Sequence, residues 1–119
     1  MYYGLSELHD LPKIAAPCWL VDVSSEKFLR VSEPAVALLG YSEPELQEMT
    51  TSDIVHPEQR HRVEERRQEA FEKWGEGSEW LCMRPNGTCF TMKLRFQIVN
   101  YRGASAYFAF VTESQDVRN

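Results

Sequence analysis

The sequence is short of the features that announce chemistry. Its three cysteines, Cys18, Cys82 and Cys89, are an odd number with no C-x-x-C pair. That argues against a disulfide framework and against a zinc site. A reducing, cytoplasmic setting is the simplest reading of this usage. There is no excess of positive charge: the formal charge is −5. Phosphate backbones therefore exert no global pull, and nucleic acid is not an expected partner. No apolar run approaches the roughly 20 residues that a bilayer span needs. The Met1 end lacks the basic-then-apolar pattern of a secretion signal. Low-complexity tracts and internal repeats are missing. So are G-x-S-x-G, a Walker loop, H-E-x-x-H and zinc-ligand spacing, and no enzymatic activity is expected. Pairing Asp22 with His56 or His9 would be arbitrary. A cone-shaped α+β enzyme would need a carboxylate or tyrosine on its inner face, for which Tyr107 alone is thin support.

What is present fits one domain of 119 residues, long enough for a modest core. The chain shows no linker of its own and reads as a module of something longer. Leu5, Leu8 and Leu11 recur at a spacing of three before Pro12, which predicts a turn or two of amphipathic helix. Cys18 to Val23 is short, apolar and β-branched, hence a strand, and Phe28 to Val31 completes a hairpin with it. Ser32 is placed to cap a helix over Glu33–Leu39. Gly40 can end that helix in the left-handed conformation. Ser42 and Glu45 then form a capping box for the next one. Thr50 to Val55 reads as one more helical turn. Pro57 suits the first position of a longer helix to about Trp74, with Val63, Ala70, Phe71 and Trp74 as its buried stripe. Its arginines are interleaved with glutamates, including Glu58–Arg62 and Glu69–Lys73 at i, i+4, so it presents a solvated face.

From Ser78 the period changes to two. Phe90, Met92, Leu94, Phe96 and Ile98 alternate with Cys89, Thr91, Lys93, Arg95 and Gln97, the mark of a strand with one wet face. Tyr101 to Ala104 forms a turn and Ser105 to Thr112 the last strand. The turn "RPNGT" sets the register between its flanking strands. A two-residue turn at Asn86-Gly87 would put Leu81 and Met83 on the face of Phe90 and Met92. Pro85 favours the second position of a type I turn, so a three-residue loop closing on a left-handed Gly87 fits better. That register sets Cys82 opposite Phe90 and Trp80 opposite Met92. It leaves Leu81 and Met83 on the outer face, where a cover is needed. The N-terminal leucines or a second subunit would supply one. The predicted class is α+β, with short helices and one longer helix on one face of a five-stranded antiparallel sheet.

In that order the sequence resembles the PAS sensor-domain family, from about Leu11 to Gln115. "WLVDVSSEKFLRVSEPAVALLGYS" is similar to the family's opening strand, turn, strand and helix closing on Gly-Tyr-Ser. "SEPEL" is similar to its S-x-E-E-L segment, "DIVHPEQ" to D-I-x-H-P-E-D, "RPNGTCF" to the R-x-D-G-S hairpin, and "YRGASAYFAFVTE" to the final strand. No piece is specific alone; the ordered set is. Ser32 stands where the family often has Asn. Glu113-Ser114-Gln115 stand where it commonly has Asp-Ile-Thr, so only the carboxylate of Glu113 is kept for signal coupling.

The resemblance implies a five-stranded PAS-like fold over residues 15–115, with a helical cap over 1–14 and a tail over 116–119. It implies a sensory module of a signalling protein, such as a histidine kinase or cyclic-di-GMP enzyme, joined to an effector domain. Trp19, Val21, Trp80, Cys82, Met92, Leu94, Tyr107, Ala109 and Val111 would line a cavity between sheet and helices. Apolar and aromatic walls with few polar tips suit a small organic ligand or a fatty chain. The plainer alternative is that these side chains simply fill the core. A haem would need a histidine where Val63 or Glu64 stands; His61 and His56 are poorly placed, which argues against haem. Covalent flavin photochemistry would need a cysteine within Glu48 to Ile54, where the chain has Thr51 instead. Cys82 and Cys89 are read as packed or partly exposed thiols. A second expectation is a ligand-free interaction module that dimerises through Leu5, Leu8, Leu11, Leu81 and Met83.

Overall fold

Alternation and apolar runs sort the strands before any helix is placed. In the computed structural model, which describes residues 10–65 and 78–117, strand β1 spans Cys18–Asp22 and β2 Phe28–Val31. Strand β3 spans Ser78–Met83, β4 Cys89–Tyr101 and β5 Ala104–Asp116. All pairings are antiparallel, in the order β2-β1-β5-β4-β3. Strand β1 is apolar from Cys18 to Val21 rather than alternating because both its faces are covered: Cys18 through Val21 are all buried. The expected α+β architecture is what the chain adopts.

The β3–β4 hairpin has the register that Pro85 favours. Arg84 N–H donates to Thr88 O at 2.9 Å, and Gly87 N–H donates back to Arg84 O at 2.9 Å with Gly87 at φ 88°. Trp80 lies opposite Met92 and Cys82 opposite Phe90. Both long strands outrun the sequence expectation: β4 continues to Tyr101 and β5 to Asp116 instead of stopping at Thr112. The strand therefore crosses the predicted boundary at residue 115. Thr112-Glu113-Ser114-Gln115 is a polar run with no alternation to mark it as a strand.

Three short helices bend over the inner face: α1 (Glu33–Leu39), α2 (Glu43–Gln47) and α3 (Thr51–Ile54). Helix α1 ends at Gly40 with φ 85°, and a Cβ there would lie 3.1 Å from Pro85 Cδ. The helix end is thus seated against the β3–β4 turn. Ser42 N–H donates to Glu45 Oε1 at 2.9 Å and Glu45 N–H to Ser42 Oγ at 3.3 Å, the reciprocal box that starts α2. The segment around α3 is a strap pinned to both edges of the sheet. Phe28 N–H donates to Met49 O and Thr51 N–H to Glu26 O at the β2 side; His56 N–H donates to Leu81 O on β3. Those bonds also occupy part of each exposed strand edge.

After the strap, residues 57–62 wind as a 3-10 helix that passes into α geometry at Val63. This differs from the α-helix expected from Pro57. Three residues per turn bring i and i+3 into line, and Glu58 and Arg62 do not pair. Residues 66–74 of the expected helix, with Ala70, Phe71, Trp74 and the Glu69–Lys73 pair, lie outside the described residues.

The sheet carries two cores. The inner one gathers Trp19, Val21, Phe28, Trp80, Phe90, Met92 and Ala109 with α1, α2 and α3. The outer one gathers Leu11, Cys18, Leu20, Ala106 and Phe108. Leu11 sits in a single 3-10 turn, Leu11–Lys13. The following stretch is tied down by Ser32, whose buried hydroxyl donates to Ala16 O at 2.8 Å and accepts from Cys18 N–H and Ala35 N–H.

Candidate functional site

Between the sheet and the strap lies a cavity of about 70 Å³. Its floor is the inner face of the sheet: Trp19 and Val21 from β1, Trp80 from β3, Met92, Leu94 and Phe96 from β4, Tyr107 and Ala109 from β5. Its roof is Thr51, Ile54, Val55 and Val63. Ala109 pairs with Trp19 on one side and Phe96 on the other. A methyl group flanked by two aromatic side chains leaves the space that the rings frame. Phe96 and Tyr107 meet edge to face at 5.6 Å, in the preferred aromatic geometry. None of the described lining residues carries a formal charge.

Seven of the nine wall residues expected from the resemblance line this space. Cys82 is fully buried in the same core but behind the wall, and Val111 packs against its edge. The roof residues were not among the expected walls. Ile54 and Val55 were visible only as two apolar residues in a short polar segment, too brief for a periodic signal. Alternation puts Phe96 on the inner face of β4 and the helical pattern puts Val63 on a buried stripe, but neither pattern marks a cavity wall.

The other expected positions scatter. Leu81 and Met83 are half-buried on the outer face of β3. Leu11 does not join them: it is fully buried over β1 and β5. Leu5 and Leu8 lie outside the described residues. Glu113 is exposed on the outer face, 3.3 Å from Lys93 Nζ. The cause is a bulge. Lys93 pairs with Glu113 but Leu94 pairs with Val111, so Thr112 is an extra residue in β5. Beyond it every side chain changes face. Ser114 and Asp116 therefore face inward, opposite Met92 and Phe90.

That reversal brings Asp116 to Arg84, a contact the sequence had not revealed. Arg84 Nη2 donates to Asp116 Oδ1 at 2.8 Å, Nε to Leu38 O at 2.8 Å and Nη1 to Thr88 Oγ1 at 3.2 Å. Its guanidinium carbon lies 4.5 Å from the centre of the Phe90 ring. One planar, multi-donor group thus joins the end of α1, the hairpin and the end of β5. Lys93–Glu113, both more exposed, is a surface pair of little energetic weight.

Titratable groups near the cavity are few. Burial pushes the Cys18 thiol above its ordinary range, and the Ser32 hydroxyl only partly opposes this. Cys18, Cys82 and Cys89 are all free, and none lines the cavity. Among the described residues no cluster of three or more His, Cys, Asp or Glu side chains is arranged to hold a metal. A flavin does not fit these residues: ligand pockets commonly span about 300–1,000 Å³, and Thr51 stands in the roof where an attacking thiol would be needed. Haem fits no better. Val63 is in the roof, His61 is exposed, and the His56 Nδ1 accepts from Glu58 N–H at 3.2 Å.

The family model of the PAS fold matches residues 28–111. Solved structures agree with it at the level of the fold. A PAS domain from a two-component sensor histidine kinase superposes with a TM-score of 0.70 at 17% identity, covering 94% of each chain. A PAS domain from Desulfitobacterium hafniense gives 0.68 at 18% identity, covering 92% of this chain and 99% of that one. A LOV protein from Rhodobacter sphaeroides gives 0.71 at 16% identity, over 91% of this chain and 65% of that one. No curated protein matches the sequence. No helix among the described residues is long and apolar enough to cross a membrane.

Proposed function

The chain belongs to the PAS family, and from that premise we propose that it is a non-catalytic sensory module, one that reads a small ligand in the cavity and relays occupancy to an effector in its parent protein. The cavity itself carries this reading: apolar walls from four strands, closed by a strap held at both sheet edges. A ligand that enters must press on Thr51, Ile54 and Val55, the residues between the two anchor points. Arg84 supports the relay, since it bonds both the Leu38 carbonyl of α1 and Asp116 near the end of β5. A shift of the helices is thereby felt where the chain leaves the sheet. The described relatives include a domain of a two-component histidine kinase, and such an output is consistent with this geometry. The free cysteines fit a cytoplasmic setting.

Native mass spectrometry and a thermal-shift screen across metabolites test the reading. A retained mass, or a compound that raises the melting temperature, is the expected result. A protein with no retained mass and no shift from any compound counts against it.

The outer sheet face favours a second reading, a ligand-free module that dimerises. Leu81 and Met83 are half-buried there, and Val117 is 45% exposed. Sedimentation of the wild type and Leu81→Glu separates the two. If both are monomeric at high concentration, this reading fails.

A further inference from the structure

Taking the sensory reading above as its basis, we infer that the cavity selects a small, uncharged, apolar molecule no larger than a single ring. Three observations set these bounds. The first is volume. About 70 Å³ is below the roughly 150 Å³ of an apolar cavity known to stay dry and admit benzene or xenon. One ring is therefore the upper limit, and it enters only with some yielding of the wall. Met92, unbranched and buried in the wall, is the side chain best able to give.

The second is charge. No described lining residue is ionisable near neutral pH, so an anion or cation inside would lose its hydration and gain no counter-charge. The third is the frame. Ala109 lies between Trp19 and Phe96, and Trp80 closes the β3 side. Aromatic edges and faces around a methyl-sized floor favour planar or polarisable apolar guests. A tricyclic ring system or a long acyl chain would have to displace the strap, breaking the Thr51 N–H to Glu26 O and His56 N–H to Leu81 O bonds.

The test is binding of toluene, benzene, dodecanoate and flavin mononucleotide to the intact chain, read by amide chemical shifts and melting temperature. Toluene and benzene are expected to bind, with the largest shifts at Val21, Ile54 and Ala109. Ala109→Leu, which fills the floor, should weaken them by about tenfold or more. If that variant does not fold, Ala109→Val supplies the same comparison with one methylene fewer. Binding of dodecanoate or flavin mononucleotide instead would overturn the size and charge limits while leaving the sensory reading intact. Equal binding of toluene to the folded Ala109 variants would overturn the site. No binding by any of the four, together with no hit in the metabolite screen, would overturn both.

Discussion

Strands β1 and β5 build both cores from alternate residues, and the two cores turn out differently. Trp19, Val21, Tyr107 and Ala109 face the short helices; Cys18, Leu20, Ala106 and Phe108 face Leu11 and the segment around it. No member of the outer cluster is more than 1% exposed. The inner cluster surrounds a cavity. The difference lies in the covers. The outer cover is the short Leu11–Lys13 turn and the chain after it, drawn down by direct bonds, Val111 N–H to Pro17 O and Ser32 Oγ to Ala16 O. The inner cover is a set of helical turns whose backbone groups are spent on one another and on the two sheet edges. Between those edges only side chains can reach the floor, and Ala109, Thr51 and Val55 are too short to meet. Among the described residues, one face of the sheet thus packs shut and the other keeps a cavity.

The largest expected effect tests the shut face. Phe108→Ala should cost about 3–5 kcal/mol, the range for a buried aromatic, read as a lower urea midpoint. Phe108 also packs beside Phe110 at 6.1 Å, so the deletion strips two contacts at once. A loss below about 1 kcal/mol would mean that the outer core is no firmer than the inner.

Arg84 tests the other side, because all its contacts lie there. Arg84→Met should cost about 1.5–3 kcal/mol, the range for hydrogen bonds to charged groups. Amide exchange should quicken at the end of β5, from Ser114 to Val117, and at Gly40, while Leu20 and Phe108 keep their protection. Uniform loss of protection over both faces would break the distinction between the two cores.

A matched pair of substitutions sharpens the comparison further. Ala106→Val adds two methyl groups to the filled outer core and should cost about 1–3 kcal/mol. Ala109→Val adds the same atoms beside the cavity and should change stability by less than about 1 kcal/mol. Thermal unfolding of both variants decides. Equal costs would mean that the space beside Ala109 is not usable volume.

Much of this division could be read in the sequence, and the parts that could not share a cause. The alternation from Phe90 to Ile98 marked the inner face of β4, though Ile98 runs past the helices and is 57% exposed. Pro85 fixed the hairpin register, and with it the inward placement of Trp80 and Cys82. Gly40 and Ser42 marked where α1 stops and α2 starts. The bulge at Thr112 left no mark, because a polar run has no hydrophobic phase to reverse. Asp116 was therefore unseen as the partner of Arg84. The strap residues Ile54 and Val55 were hidden for a related reason: a single helical turn is shorter than the period that would reveal its buried side. Spacing alone groups Leu11 with Leu5 and Leu8, because its partners Ala106 and Phe108 are distant in sequence.

The smallest expected effect is a pH dependence confined to the start of α2 and the β1–β2 turn. Glu45 is held below the ordinary carboxylate range, first by the Ser42 N–H and then by the Ser42 hydroxyl. A carboxylate with a depressed value in the folded state contributes fully above its unfolded value, and the contribution fades as pH falls through the folded one. Acid should therefore loosen the start of α2 as pH falls through and below the ordinary carboxylate range, and with it the roof. Asp22, depressed by the Ser25 N–H at the β1–β2 turn, should titrate in the same direction. Glu45 is exposed and Asp22 partly so, and the change is local. In the described outer cluster Cys18 is the one titratable member, and its thiol is raised rather than lowered. Acid gives that face no reason to respond. Amide exchange at Ser42 and Glu45, followed down in pH, should accelerate while Leu20 and Phe108 hold. Glu45→Gln keeps an acceptor for the Ser42 N–H but cannot titrate, so it should abolish the acceleration at α2 and leave the Asp22 turn unchanged. If the variant keeps the wild-type pH profile at Ser42, the capping carboxylate is not what acid releases.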